Sequence, residues 1–138
     1  MIPYHEIEHT ADVGVDVYGS SFEELLQHAG YALFDTIVDA STIQPAIERT
    51  VRISGTDEES LLMNWLRELL YLFSVEQEVY TEFVIQSSHA FQVTAVLKGE
   101  ALDCERHRFE TELKAVTYHQ FSVVKEGEQW KARVIFDV

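Results

Sequence analysis

Glu58-Glu59-Ser60-Leu61-Leu62-Met63-Asn64-Trp65-Leu66-Arg67-Glu68-Leu69-Leu70-Tyr71-Leu72-Phe73 is the stretch whose reading decides the fold. Leu61, Leu62, Trp65, Leu66, Leu69, Leu70 and Phe73 recur at three- and four-residue spacing, the period of a helical face. So broad an apolar stripe predicts a helix set deep in a core. Thr56 and Glu59 stand at capping-box spacing ahead of it. Asn64 and Arg67 fall on its flank, which leaves solvent or a partner surface as their surroundings.

Working back from this helix, Gly55 closes a predicted strand over 49–54 with Val51 and Ile53 inward. Residues 39–45 read as a loop. An earlier helix, over about 22–37, follows from Phe22, Leu25, Leu26, Ala29, Leu33 and Ile37, with Ser21 and Glu24 as its capping box. Before it, Val13, Val15 and Val17 alternate with Gly14, Asp16 and Tyr18, the period-two signature of a half-buried strand. Working forward, the chain turns to strands, over 82–87, 91–98, 111–118, 120–125 and 129–136, with Glu126-Gly127-Glu128 as a hairpin turn. Two helices among consecutive antiparallel strands predict an α+β fold, mostly antiparallel, with the helices packed on one face. The pattern does not separate one curved sheet from two. A length of 138 residues suits a single domain over 1–138.

Ten Lys and Arg against 24 Asp and Glu give a formal charge of −14. Nucleic-acid affinity comes largely from cations on phosphates. The few here are scattered, so neither direct nucleic-acid binding nor an anionic membrane surface is expected. A basic protein partner or a cation fits the sign. No apolar run approaches the ~20 residues of a membrane helix. The first residues carry no basic or apolar signal-peptide pattern. One cysteine, Cys104, excludes an internal disulfide and fits a reducing compartment. A cytoplasmic location, or a nuclear one in a nucleated cell, is expected.

Asp12 begins a predicted strand and Asp137 ends another. If the two strands are antiparallel neighbours, these acids meet, and the carboxylate of Val138 joins them. Oxygen ligands alone favour hard cations, Ca²⁺, Mg²⁺ or Mn²⁺, over Zn²⁺, and Ca²⁺ tolerates an irregular cage best. The alternative is two solvated acids at strand ends. Other candidates are weaker. His9 precedes Asp12 by three residues and suits either a ligand or a structural hydrogen bond. His5, His9, His28, His89, His107 and His119 lack zinc-like spacing. Cys104 and His107 make a conceivable nucleophile pair, but nothing nearby orients it. Asp35 is unfavourable near a helix C-terminus, which hints at a local partner or a role beside the default of a solvated acid; Asp39 follows it. No Walker loop, Gly-x-Gly-x-x-Gly or Gly-x-Ser-x-Gly is present.

His9-Thr10-Ala11-Asp12-Val13-Gly14-Val15 and Phe136-Asp137-Val138, with Lys114-Ala115-Val116-Thr117-Tyr118-His119 and Leu97-Lys98-Gly99-Glu100, resemble blocks of the archease family. The resemblance runs along nearly the whole chain. Archeases commonly carry Pro where Cys104 stands, a departure confined to a loop. The resemblance implies an accessory protein rather than an enzyme. Its client would be an RtcB-type tRNA-splicing RNA ligase, whose guanylylation and multiple turnover it promotes. It implies that Asp12, Lys114 and Asp137 are needed for function, and that Asp12, Asp137 and Val138 bind metal. Lys114 would offset the carboxylates or meet a phosphate; read without the family, it is a rim lysine over apolar surface. Two other functions remain open: a stand-alone metal-dependent phosphoesterase, and a chaperone-like adaptor of a nucleic-acid enzyme.

Overall fold

A computed structural model describes residues 3–7 and 12–138. The elements in order are β1 (Tyr4–Ile7), β2 (Asp12–Gly19), α1 (Phe22–Ile37), a 3₁₀ turn (Ala40–Thr42), β3 (Ile47–Ser54), α2 (Glu58–Ser74), β4 (Glu78–His89), β5 (Gln92–Ala101), β6 (Ala115–Glu126) and β7 (Gln129–Asp137). There are two antiparallel sheets, ordered β1-β2-β7-β6 and β3-β5-β4. α1 packs against β2, β7 and β4, and α2 against β6, β3 and β4. Both helices therefore bridge the two sheets, on one face of each. This explains why their apolar stripes are so wide: α1 buries Leu25, Leu26, Ala29, Leu33 and Phe34, and α2 buries Leu61, Met63, Trp65, Leu69 and Leu72. A helix with a sheet on either side needs more than one apolar face.

The two helices are tied to each other through Trp65, which is fully buried and donates its indole N–H to the Leu26 carbonyl at 2.9 Å. Gly30 allows α1 to approach β4, since a Cβ there would lie 2.8 Å from the Phe83 ring. The predicted α1 boundaries match the observed ones, but both caps differ from the pattern. The Ser21 hydroxyl accepts from Glu24 N–H, while the Glu24 carboxylate reaches back to Ser20 N–H. α2 is capped by Asp57 with Ser60, not by Thr56 with Glu59, because Asp57 stands directly before the first helical residue and its carboxylate accepts from Ser60 N–H at 2.7 Å.

Three strand readings change. β1 has no period-two signal of its own and forms by pairing with β2. Residues 111–114 lie outside any strand, and the two strands read over 111–118 and 120–125 are one, β6, interrupted by a bulge after Thr117. Phe91 leaves the strand to join Ala90 in a two-residue turn, both with positive φ, 58° and 51°.

Candidate functional site: carboxylates across three strand ends

Alternation along β2 sends Val15 and Val17 into the core and sets Asp12, Gly14, Asp16 and Tyr18 on the opposite face. β7 pairs with it so that Asp12 lies directly opposite Asp137, Gly14 opposite Ile135, Asp16 opposite Arg133 and Tyr18 opposite Lys131. Opposed residues of an antiparallel pair share a face. The two acids that begin and end these strands are thus cross-strand neighbours. On the far side of β7, Ala115 of β6 stands opposite Asp137 and completes the row. Gly14 keeps the next row closed: a Cβ there would lie 2.5 Å from Ile7 Cγ1 and 2.8 Å from Ile135 Cδ1.

Lys114 is exposed and precedes β6 by one residue. Its backbone N–H donates to the Asp137 carbonyl at 2.8 Å, so its main chain is fastened to the acid pair. Its side chain makes no ion pair with a described residue. The Val138 side chain packs against the core, and Val138 follows Asp137 directly in the chain. His9 lies outside the described residues.

Four residues along the same face, Asp16 meets Arg133 as a fork, Nε to Oδ1 at 2.8 Å and Nη2 to Oδ2 at 3.0 Å, with Lys131 Nζ at 4.0 Å. Asp16 is only 7% exposed, and the Arg133 hydrogen bonds hold its carboxyl below the usual carboxylate range. Asp16 is therefore a structural anion already neutralised. Asp137 has no such guanidinium: its side chain makes no hydrogen bond or ion pair with a described residue.

A second acidic feature lies on the inner side of the same strands. Tyr4, Glu6, Val13, Asp35, Thr36, Asp39, Glu110 and Thr111 line an open cavity of about 470 Å³. Asp35 has the local partners that its place near a helix C-terminus demands: the Tyr4 hydroxyl donates to it at 2.6 Å and Ala40 N–H at 3.0 Å. Burial, then that bond, pushes the Tyr4 hydroxyl up. Asp39 caps the 3₁₀ turn, accepting from Ser41 N–H at 3.0 Å. Tyr4 carries no sequence signal for this place, because β1 is too short to hold a periodic pattern.

His107 is buried, and its ring is committed elsewhere than to Cys104. Nδ1 accepts from Asp103 N–H at 2.8 Å, which leaves the proton on Nε2, 3.0 Å from Glu100. Cys104 is exposed beside a separate cavity with Phe73 and Phe109. The two do not form a nucleophile and base. Asn64 donates to the Ser54 carbonyl at 2.8 Å, a strut between α2 and β3.

The donors at the row end suit a hard cation in kind: two carboxylates in register and main-chain oxygens, with no sulfur or imidazole required. Among the described residues no group of three or more His, Cys, Asp and Glu side chains is placed to hold a metal.

Two antiparallel sheets bridged by two helices, with acids opposed across strand ends, define an acidic α+β protein of a kind known in other organisms. The model of the Archease protein family (MTH1598/TM1083) matches residues 4–138. The protein archease of Methanosarcina mazei is 40% identical over 98% of this chain and 95% of its own length. That of Methanopyrus kandleri is 36% identical over 99% of this chain and all of its own. The solution structure of Methanobacterium thermoautotrophicum protein 1598 superposes with a TM-score of 0.85 at 33% identity, covering both chains fully. A crystal structure from Thermotoga maritima, described as an archease and possible chaperone, shares the fold with a TM-score of 0.71 at 22% identity, over 96% of this chain and 94% of its own. The chain belongs to the archease family, a family of accessory proteins associated with RtcB-type RNA ligases.

Proposed function

We propose that this chain activates an RtcB-type tRNA-splicing RNA ligase, promoting its guanylylation and repeated turnover. Asp12 and Asp137, with an oxygen of Val138, present a divalent cation, Ca²⁺ in preference to Mg²⁺ or Mn²⁺, at the ligase's metal-bearing site. Lys114, fastened beside Asp137, offsets phosphate charge as the nucleotide is engaged. The observation that carries this reading is the register of β2 on β7, which opposes Asp12 and Asp137 directly. Two carboxylates so placed repel until a cation or donors neutralise them. Such a pair serves as a docking end for a metal that another protein shares. The ligase supplies the nucleic-acid surface that a chain of charge −14 lacks. The reading places the protein with its ligase in the cytoplasm, or in the nucleus where there is one.

The test is ligase turnover with purified components. Asp12→Ala should leave the first ligation event intact and abolish later ones, with the circular-dichroism spectrum unchanged. Undiminished multiple turnover by the folded variant overturns the proposal.

A further inference from the structure

β3 and α2 frame a groove of about 410 Å³ lined by Arg52, Ser54, Asn64, Arg67, Glu68 and Tyr71. Among the described residues none hydrogen-bonds or ion-pairs with the Arg52 guanidinium. Arg67 has its guanidinium 5.0 Å from the centre of the Tyr118 ring, a cation–π contact that leaves its N–H donors open. Two such cations in one groove stand out on a chain of charge −14, and only Glu68 opposes them there.

The aromatic side of the groove is displayed, not buried. Tyr71 is 47% exposed and Tyr118 is 63% exposed. Tyr118 is held out by the backbone. Between the pairs Thr117–Ile135 and Ser122–Arg133, residues 118–121 of β6 face only Val134 of β7. Within this bulge Gln120 takes φ +52°, a left-handed conformation costing a non-glycine residue roughly 1 kcal/mol. Phe121 backs the Tyr118 ring edge-on, with centroids 6.0 Å apart. A strained bulge that projects a tyrosine onto an arginine is a built surface feature.

We propose that this groove binds an extended acidic segment of a partner protein, with Arg52 and Arg67 pairing its carboxylates and Tyr71 and Tyr118 packing on its side chains. Tyrosine and arginine are the residues that dominate protein-interface energetics, and an arginine fork matches a carboxylate in two bonds. The charge pattern favours an acidic peptide over RNA. A nucleic acid running beyond the groove crosses a surface with a large anionic excess, whereas a peptide can place two carboxylates in the groove and leave.

Fluorescence anisotropy with three labelled probes tests this: a peptide alternating Glu and Leu, its counterpart with Lys for Glu, and oligouridine. The acidic peptide should bind saturably, weaken as salt is raised, and lose at least about tenfold in affinity with Arg52→Gln plus Arg67→Gln, a factor worth about 1.4 kcal/mol. The Lys peptide and oligouridine should not saturate. Should the double variant fail to fold, Arg52→Gln alone, which removes no stacking contact, should still weaken the acidic peptide. Absence of acidic-peptide binding, or equal binding by the folded variants, overturns the inference. Tighter oligouridine binding that depends on the same arginines also overturns it and assigns the groove to nucleic acid. Asp12→Ala should leave peptide binding unchanged, so this result is independent of the ligase reading.

Discussion

Asp12 and Asp137 face each other across β2 and β7 as a direct register pair, and like charges directly opposite each other disfavour a sheet. In the presence of a chelator, Asp137→Asn should therefore melt no lower than the parent chain. Added Ca²⁺ should raise the melting temperature of the parent, because a ligand that binds only the native state stabilises it by mass action. The variant should lose that increment. Differential scanning calorimetry with and without Ca²⁺ reads both effects, and an equal Ca²⁺ increment in the two proteins removes Asp137 from the ligand set.

The Asp16–Arg133 fork predicts an acid limb of stability. The folded-state carboxyl of Asp16 lies below its unfolded value, near 3.9. Its contribution is present above that unfolded value and is lost as pH falls through the folded one, from about pH 5 downward. Asp16→Asn should flatten this part of the stability–pH curve in urea titrations. Arg133→Met leaves the Asp16 carboxylate without its fork and should lower stability at neutral pH while removing most of the acid limb.

The turn between β4 and β5 uses Ala90 and Phe91 with positive φ, where Asn and Gly are the favoured residues. Ala90→Asn combined with Phe91→Gly should stabilise the chain by roughly 1 kcal/mol. Chemical denaturation reads the gain directly; a loss of stability would mean that the Phe91 side chain contributes more packing than its half-exposed ring implies.

His107→Leu should destabilise by about 1–3 kcal/mol, since Asp103 N–H loses its acceptor and Glu100 a donor. The same substitution should leave the reactivity of the Cys104 thiol toward a maleimide unchanged, because the imidazole does not serve it. A slowed thiol reaction in the folded variant would restore the Cys–His pairing.

Much of this fold is legible where one physical signal dominates. The span of α1 follows from its apolar spacing, and β2 and β7 follow from alternation. The opposition of Asp12 and Asp137 is anticipated because both sit at strand ends. What escapes the sequence depends on tertiary partners. β1 exists only through β2, the cap of α2 is settled by which side chain reaches the first N–H groups, and the β6 bulge shows in the sequence only as a break in alternation at His119 and Gln120, which reads as a gap between two strands rather than as one bulged strand. The number of sheets is hidden too, since a broad helical stripe reports that a helix is buried but not by what.

β7 is made after the other strands of its sheet, yet it lies between β2 and β6. Until it is synthesised, β2 has only the short β1 beside it, and β6 has no sheet partner at all. During translation the first sheet must therefore wait, with its apolar strands open, until β7 itself has been made. A chain cut off before β7 has no Asp137 to set against Asp12, so the assembled acid pair reports that β7 has been made and has docked between its neighbours.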